Sequence, residues 1–359
     1  MTAMHRITSP HDPALAELCT RLRELAPELD KPNAWPAKQL QLCAEGGVHE
    51  WFVPERVGGQ GWSEADLLRG YLQLSAACLT TAFILTQRVG ACTRIAASGN
   101  KLAEERWLPP LLTGEAFATV GISHLTTSRQ HVQPVLQARE TPSGFMLNGY
   151  SPWVTGAEHA QVIVIGATLD DGRQILVALP TDLPGVRIPP APELVSLTAS
   201  RTGPVYCDRV EVHRQWLLAG PVEQVMKQGL GAKTGGLQTS ALAAGLTTAA
   251  LDYLDQQAQQ RDVFVEPTAA MREELNQIVS DLLALAEGEQ PCAADDARMR
   301  ANSLVLRATQ AALVAAKGAG FVAGHPAGRW CREALFFLVW SCPPAVLNAN
   351  LCEFAGISS

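Results

Sequence analysis

The chain has 359 residues, more than one hydrophobic core usually serves, so two or three packed units are expected. Hydrophobic residues make up 47% and charged residues 18%, a globular rather than a disordered composition. The net charge is −7, the pI is near 5.7 and no basic stripe is visible, which argues against a nucleic-acid partner.

Residues 13–31 read as an amphipathic helix with Leu15, Leu18, Leu22 and Leu25 on one face. Residues 35–46 read as a second helix that stops at Gly46-Gly47, a C-cap signal. WFVPERVGGQGWS, 51–63, is a Gly- and Pro-rich loop. The segment 64–97 is long, alanine-rich and helical, with a core stripe, and LPPLLTGE, 108–115, closes the helical unit. The period then shortens. Runs at 116–122, 132–139, 144–149, 161–168, 173–179 and 204–213 are rich in Val, Ile and Leu and separated by turn residues. They predict an antiparallel sheet or small barrel. From 222 the helical period returns, with helices expected at 222–261, 267–288, 292–322, 328–340 and 344–355. The order is helix, strand, helix, an α+β chain with boundaries near 115 and 220.

Nine cysteines are present, an odd number without a CxxC pair. Their spacing fits neither a zinc site nor a disulfide scaffold and points to free thiols in a reducing, cytoplasmic setting. His124, His131, His159, His213 and His325 are scattered without HxH or HExxH spacing, so no metal is expected. No G-x-G-x-x-G follows a strand, which argues against a Rossmann nucleotide site. MTAMHRITSPHDP has no apolar signal-peptide core, and the apolar stretch 301–324 is interrupted by Arg307 and Lys317, so neither secretion nor a membrane span is expected.

Five passages, in this order, resemble the acyl-CoA dehydrogenase family. GGVHEWFVPERVGGQG (46–61) is similar to its VPE-x-x-GG-x-G loop, and the stretch from Gly99 to Gly114 to its LP-x-L-x-x-GE passage. GFMLNGYSPWVTGAEHAQVIVIGA (144–167) resembles the family's LNG-x-K-x-W-I-T-N strand pair. AALDYLDQQAQQRDVF (249–264) resembles the helix ending in R-x-x-F, and GAGF…HPAGRWCREAL (318–335) the GG-x-G-F…RDA helix pair. The resemblance covers nearly the whole chain. It implies an N-terminal helical domain over 1–115, a middle β domain over 116–220 and a C-terminal four-helix bundle over 221–359.

The resemblance also implies FAD as cofactor. Trp153 and Thr155 alternate onto one strand face; the matching family residues cover the flavin ring and hydrogen-bond its N5. Arg261 matches an arginine that reaches the FAD pyrophosphate of a neighbouring subunit, and Phe264 a residue packed near the adenine. Gly318 and Gly320 match the glycines of Q-x-x-GG-x-G. Ser128 is the residue retained from the T-E-P-x-A-G-S-D loop, with Thr126 and Thr127 as substitutes for its other hydroxyls. A homodimer or homotetramer follows from the role of Arg261.

The chain also departs from the pattern. The family's base is a Glu in a Y-E-G-T turn; here Trp340 falls on the Tyr, Ser341 on the Glu, and Cys342-Pro343 on Gly-Thr. The earlier helix that carries the Glu in some members has Gly235 and Gly236 at those positions. Val314 replaces the Gln of the cofactor motif, and Lys317 its first Gly. Three functions are compatible with these residues. One is an FAD-dependent oxidoreductase on an acyl thioester of CoA or a carrier protein, passing electrons to an acceptor flavoprotein and lacking the usual base. The others are a flavin-dependent monooxygenase on the same fold, and a non-catalytic relative that binds flavin, acyl-CoA or a partner subunit.

Overall fold

The computed structural model describes residues 5–126, 135–229, 236–340 and 342–357. α1 (Pro13–Leu25) begins where the Asp12 carboxylate accepts the Ala14 N–H and Pro13 fills the first turn. It buries Leu15, Leu18 and Leu22, and runs on as a 3-10 turn over Ala26–Asp30. α2 (Ala37–Glu45) follows. The helical segment 64–97 consists of two helices. α3 (Glu64–Ala77), capped by Ser63, and α4 (Leu79–Ala97) are separated by Cys78, whose backbone is extended at φ −159° and ψ 102°. α5 (Lys101–Thr113) is capped by Asn100 and closes at Gly114 in the left-handed region.

Among the described residues the strands form one eight-stranded sheet. They are β1 (Ala118–Gly121), β2 (Leu136–Glu140), β3 (Gly144–Val154), β4 (Val162–Leu169), β5 (Gln174–Pro180), β6 (Val186–Arg187), β7 (Gly203–His213) and β8 (Leu217–Val222). A one-turn helix, α6 (Ser123–Thr126), follows β1. The path is β6-β7-β3-β2-β4-β5-β8, with β1 also beside β4. The sheet is mixed rather than antiparallel: β4 pairs in parallel with β1, Ala118 opposite Val162, and with β2, Gln137 opposite Thr168. A period of two records which face is buried, not which way a neighbour runs. Every residue of β4 is buried, as expected of a strand covered on both faces.

Because β8 extends to Val222, the helix expected from 222 starts only at Leu237. α7 (Leu237–Ala258), α8 (Val265–Ala286), α9 (Ala294–Ala316), α10 (Pro326–Ala334) and α11 (Pro344–Ala355) complete the chain. α7 packs against α3, α8 and α9. Its contact with α3 depends on Gly245: a Cβ there would lie 1.8 Å from Ser75 Oγ and 2.5 Å from the Leu72 carbonyl oxygen. The first and last helical units consequently share one apolar core, in which Leu15, Leu74 and Leu85 cluster with Leu242, Ile278 and Leu304. No helix among the described residues is long and apolar enough to cross a membrane. All nine cysteines are free thiols.

Candidate functional site

A cavity of about 540 Å³ opens where the N-terminal helices, the sheet and the C-terminal helices meet. α4 contributes Phe83, Thr86, Gln87, Gly90 and Arg94. That spacing of three and four residues is a single stripe on the helix. The sheet contributes Val120, Trp153 and Thr155, and α6 contributes Ser123 and Thr126. The third wall comes from Gln238 and Thr239 in the first turn of α7, the segment 194–202, and Phe336 and Trp340 beyond α10. Trp340 stacks on Phe336 at 5.0 Å and meets Phe83 edge-on at 5.1 Å.

Trp153 and Thr155 reach the cavity through an irregular strand end. Between Ser151 and Val154 the register of β3 on β7 shifts, Ser151 facing Val205 and Val154 facing Gly203. The indole of Trp153 is 51% exposed, while Thr155 is buried. The next residue must be glycine. Gly156 has φ +63°, and a Cβ there would stand 2.6 Å from the Trp35 ring and 2.9 Å from the Phe117 ring. Its N–H donates to the Ser200 carbonyl at 2.9 Å, which ties the 194–202 segment to the end of β3. Thr155 Oγ1 shares a hydrogen bond with Thr202 Oγ1 at 2.9 Å, and Thr202 Oγ1 shares another with Ser200 Oγ at 2.8 Å. Ser123 Oγ and Thr239 Oγ1 are buried on the same cavity with no partner among the described residues.

The electrostatics are one-sided. Arg94 is the one Asp, Glu, His, Lys or Arg among the described lining residues. It is 3% exposed and donates through Nη1 to the Gly90 carbonyl at 2.7 Å. Burial pulls its pKa down to about 10, so it is charged at neutral pH. No carboxylate lines the cavity among the described residues. Nor does any group of three or more His, Cys, Asp or Glu there gather in a way that would hold a metal ion.

The other residues singled out in the sequence lie elsewhere. Arg261 donates to the Ala315 carbonyl at 2.9 Å and to Gln257, and its guanidinium sits 4.4 Å over the Phe264 ring. Gly318 and Gly320 lie in the 3-10 turn Lys317–Phe321 directly after α9. Arg261 and Phe264 follow the C-terminal end of α7, beside the end of α9. α7 has 22 residues and a length of about 33 Å, so Arg261 is far from the cavity of its own chain. Lys317, which replaces a family glycine, keeps a glycine-like backbone at φ 53° and ψ −144°. Ser128, Ser341, Thr127 and Gly235 lie outside the described residues. Gly236 precedes α7 and brings no side chain. Sequence reasoning missed Arg94, Gln87 and the Ser200–Thr202 pair. Arg94 carried a readable signal, since it is one of two charges, with Arg88, in a helix that holds no others.

A cavity of this size, with a large exposed indole and buried hydroxyls on one wall, has room and polar groups for a planar organic group with a polar edge. Comparison with known proteins shows what this arrangement of helical and sheet units is similar to. Residues 14–115 match the model of the acyl-CoA dehydrogenase N-terminal domain. The chain is 25% identical over 337 residues to the probable acyl-CoA dehydrogenase YngJ of Bacillus subtilis, covering 87% of this chain and 88% of that one. It is 23% identical over 342 residues to the mitochondrial short-chain specific acyl-CoA dehydrogenase of Rattus norvegicus, covering 86% and 80%. The structure of a glutaryl-coenzyme A dehydrogenase in complex with glutaryl-CoA superposes with a TM-score of 0.80 at 19% identity, covering 96% of each chain. Residues 14–115 thus carry the acyl-CoA dehydrogenase N-terminal domain, and the chain as a whole has the acyl-CoA dehydrogenase fold.

Proposed function

We propose that the protein is an FAD-dependent oxidoreductase that acts on an acyl thioester of CoA or a carrier protein, without the base its relatives use. The observation that carries this reading is the cavity itself: Trp153 and Thr155 on one wall, Arg94 within it, and no carboxylate among the described lining residues. FAD, when bound, supplies a two-electron acceptor. Trp153 covers one face of its ring, and Thr155 supplies a hydroxyl that the Thr202–Ser200 chain holds in one orientation. Ser128 is a further contact of that cofactor, whereas Gly318 and Gly320, at the same end of the bundle as Arg261, face the cofactor of a second copy. Arg94 gives the cavity a positive end suited to a carbonyl oxygen.

Removal of an α-proton requires a group that accepts it near neutral pH. None of the described lining residues does so: the hydroxyls do not ionise there, and Arg94 remains protonated. That composition favours a second reading, a flavin-dependent monooxygenase, whose chemistry starts from reduced flavin and O2 and needs no α-proton base. Arg261 and Phe264, about 33 Å along α7 from the cavity, serve the cofactor of a second copy. Exposed apolar side chains on the C-terminal unit, among them Phe321, Val322 and Phe354, support a homodimer or homotetramer. An electron-accepting flavoprotein is the expected redox partner.

The test is an anaerobic titration of the purified flavoprotein with a panel of acyl-CoA thioesters. Bleaching of the flavin band supports the thioester oxidoreductase. An unbleached band together with NADH-dependent O2 uptake, in the presence of an added flavin reductase, selects the monooxygenase. A protein that retains no flavin overturns both.

A further inference from the structure

A second cavity, of about 440 Å³, lies between α2, α4 and the turn that joins α5 to β1. It is separate from the cleft described above and shares none of its lining residues. Its floor is made by two side chains that α4 and the segment after α2 hold almost completely buried: Arg88 is 1% exposed and His49 is 3% exposed. Nε and Nη2 of Arg88 have no hydrogen-bond partner among the described residues, and neither does either ring nitrogen of His49. These two arginine nitrogens share one edge of the guanidinium, the edge that can grip a carboxylate side-on with two parallel hydrogen bonds; like both His49 nitrogens they are sealed from solvent in this structure, so an anion reaches them only as the side chains lining the cavity shift.

The neighbours of Arg88 do not neutralise it. No Asp or Glu oxygen lies within 4.0 Å of it among the described residues, since it takes part in none of the ion pairs. The thiols facing it, Cys43 from α2 and Cys92 from its own helix, are held protonated because burial raises both. His49 is pushed well below its ordinary value, first by burial and then by Arg88, so it stays neutral and offers one donor and one acceptor. A buried cation with an unpaired bidentate edge is costly until an anion arrives.

The mouth narrows the choice of anion. Trp35, stacked on His159 at 4.1 Å and edge-on to Phe117 at 5.3 Å, forms an aromatic wall. Glu45 and Glu115, both exposed, stand at the rim, where they repel multiply charged anions. We propose that this cavity is a binding site for a small organic monocarboxylate, its head on Arg88 and His49 and its apolar body against Trp35 and Phe117.

Benzoate is the probe, titrated by calorimetry into the full-length protein and compared with chloride at equal ionic strength. The expected result is one benzoate per chain and a raised melting temperature. Inorganic phosphate, with no apolar body and more charge, should bind more weakly. Arg88→Lys keeps the charge but loses the fork, and should weaken benzoate by about tenfold or more. Arg88→Met should abolish binding and melt higher than the wild type in anion-free buffer, because no unpaired cation is buried. Arg94→Met, in the other cavity, should bind benzoate as the wild type does. Absence of benzoate-dependent heat, retained affinity in Arg88→Lys, loss of binding in Arg94→Met, or tighter binding of phosphate would each overturn the assignment, and none of these readouts depends on Arg88→Met folding.

Discussion

Glu333 offers a prediction whose size follows from its surroundings. It lies in α10, is 4% exposed, and sits where the last helical unit meets the first: Thr80 of α4 and Asp30 of the turn after α1 face it. Arg329 is one turn away, but its Nε is 3.9 Å from the carboxylate, too long for a close pair. Burial dominates and raises the carboxyl from its ordinary 4.5 to about 7; Arg329 and Arg332 oppose the rise and Asp30 adds to it. The folded protein therefore holds this proton more firmly than the unfolded chain does. The stability so gained is complete below pH 4.5 and is lost as the pH climbs through about 7. The full span corresponds to about 3 kcal/mol, most of which falls between pH ~5 and pH ~8. Glu333→Gln removes the titration. Urea unfolding of wild type and variant across that range should show wild-type stability falling relative to the variant by that amount. The comparison is of slopes, so it is unaffected by whatever the substituted amide gains or loses against Arg329 at a single pH. Parallel profiles for the two proteins would refute the reasoning.

Further tests address the cofactor wall, the missing base and a strained turn. Trp153→Ala should lower flavin occupancy after gel filtration more than Thr155→Val, since the first removes a half-exposed stacking surface and the second one hydrogen bond, net about 0.5–1.5 kcal/mol; equal occupancy in wild type and Trp153→Ala contradicts the stacking role. The wild type should show little exchange of the acyl-CoA α-proton with D2O by NMR, and Ser341→Glu should raise it, with a modest gain because Pro343 and Pro344 follow. Lys317→Gly should stabilise the protein by about 1 kcal/mol in urea titrations, because a lysine at φ 53°, ψ −144° occupies backbone that costs a side chain roughly 1–3 kcal/mol, partly offset by the freer unfolded glycine. A destabilised Lys317→Gly would mean that the lysine side chain contributes more than its backbone costs.

Much of this architecture was legible as periodicity. The stripe of Leu15, Leu18 and Leu22, the runs that became β4 and β5, and the helix over 344–355 all lie where the pattern put them. Three features were not. The interruption at Cys78 falls between a helix with one apolar face and one buried nearly all round, so no change of period marks it. The parallel pairing of β4 depends on which strands meet, and alternation along a single strand carries no record of that. β8 continues the sheet through a Gly-Pro pair at 220–221, residues that read as the end of a strand rather than its middle.

The site divides in the same way. Trp153 and Thr155 were legible because the W-V-T passage resembles the family's, and both line the cavity. Thr202 and Ser200, which hold the Thr155 hydroxyl, come from a segment whose shape rests on Leu197 at φ 56° and Arg201 at φ 50°. Neither is a glycine, so nothing in the residue types announces a left-handed turn there. Arg201 is held in that turn by Glu158, which accepts from it at 2.8 and 3.0 Å. The pairing joins residues 43 positions apart and is invisible to a local reading.

α4 buries 16 of its 19 residues. A helix with no outer side has nowhere to place a neutral substitution. In a saturation scan of 79–97, tolerated changes should not follow the familiar rule of permissive positions every third or fourth residue. Phe83, Thr86, Gln87, Gly90 and Arg94 would respond to what occupies the large cleft, Arg88 to what occupies the smaller one, and Ala82, Ile84, Ala91 and Ile95 to volume alone. One segment would thus report on ligand chemistry at two places and on packing between them, and the three kinds of sensitivity would separate by angle around a single axis.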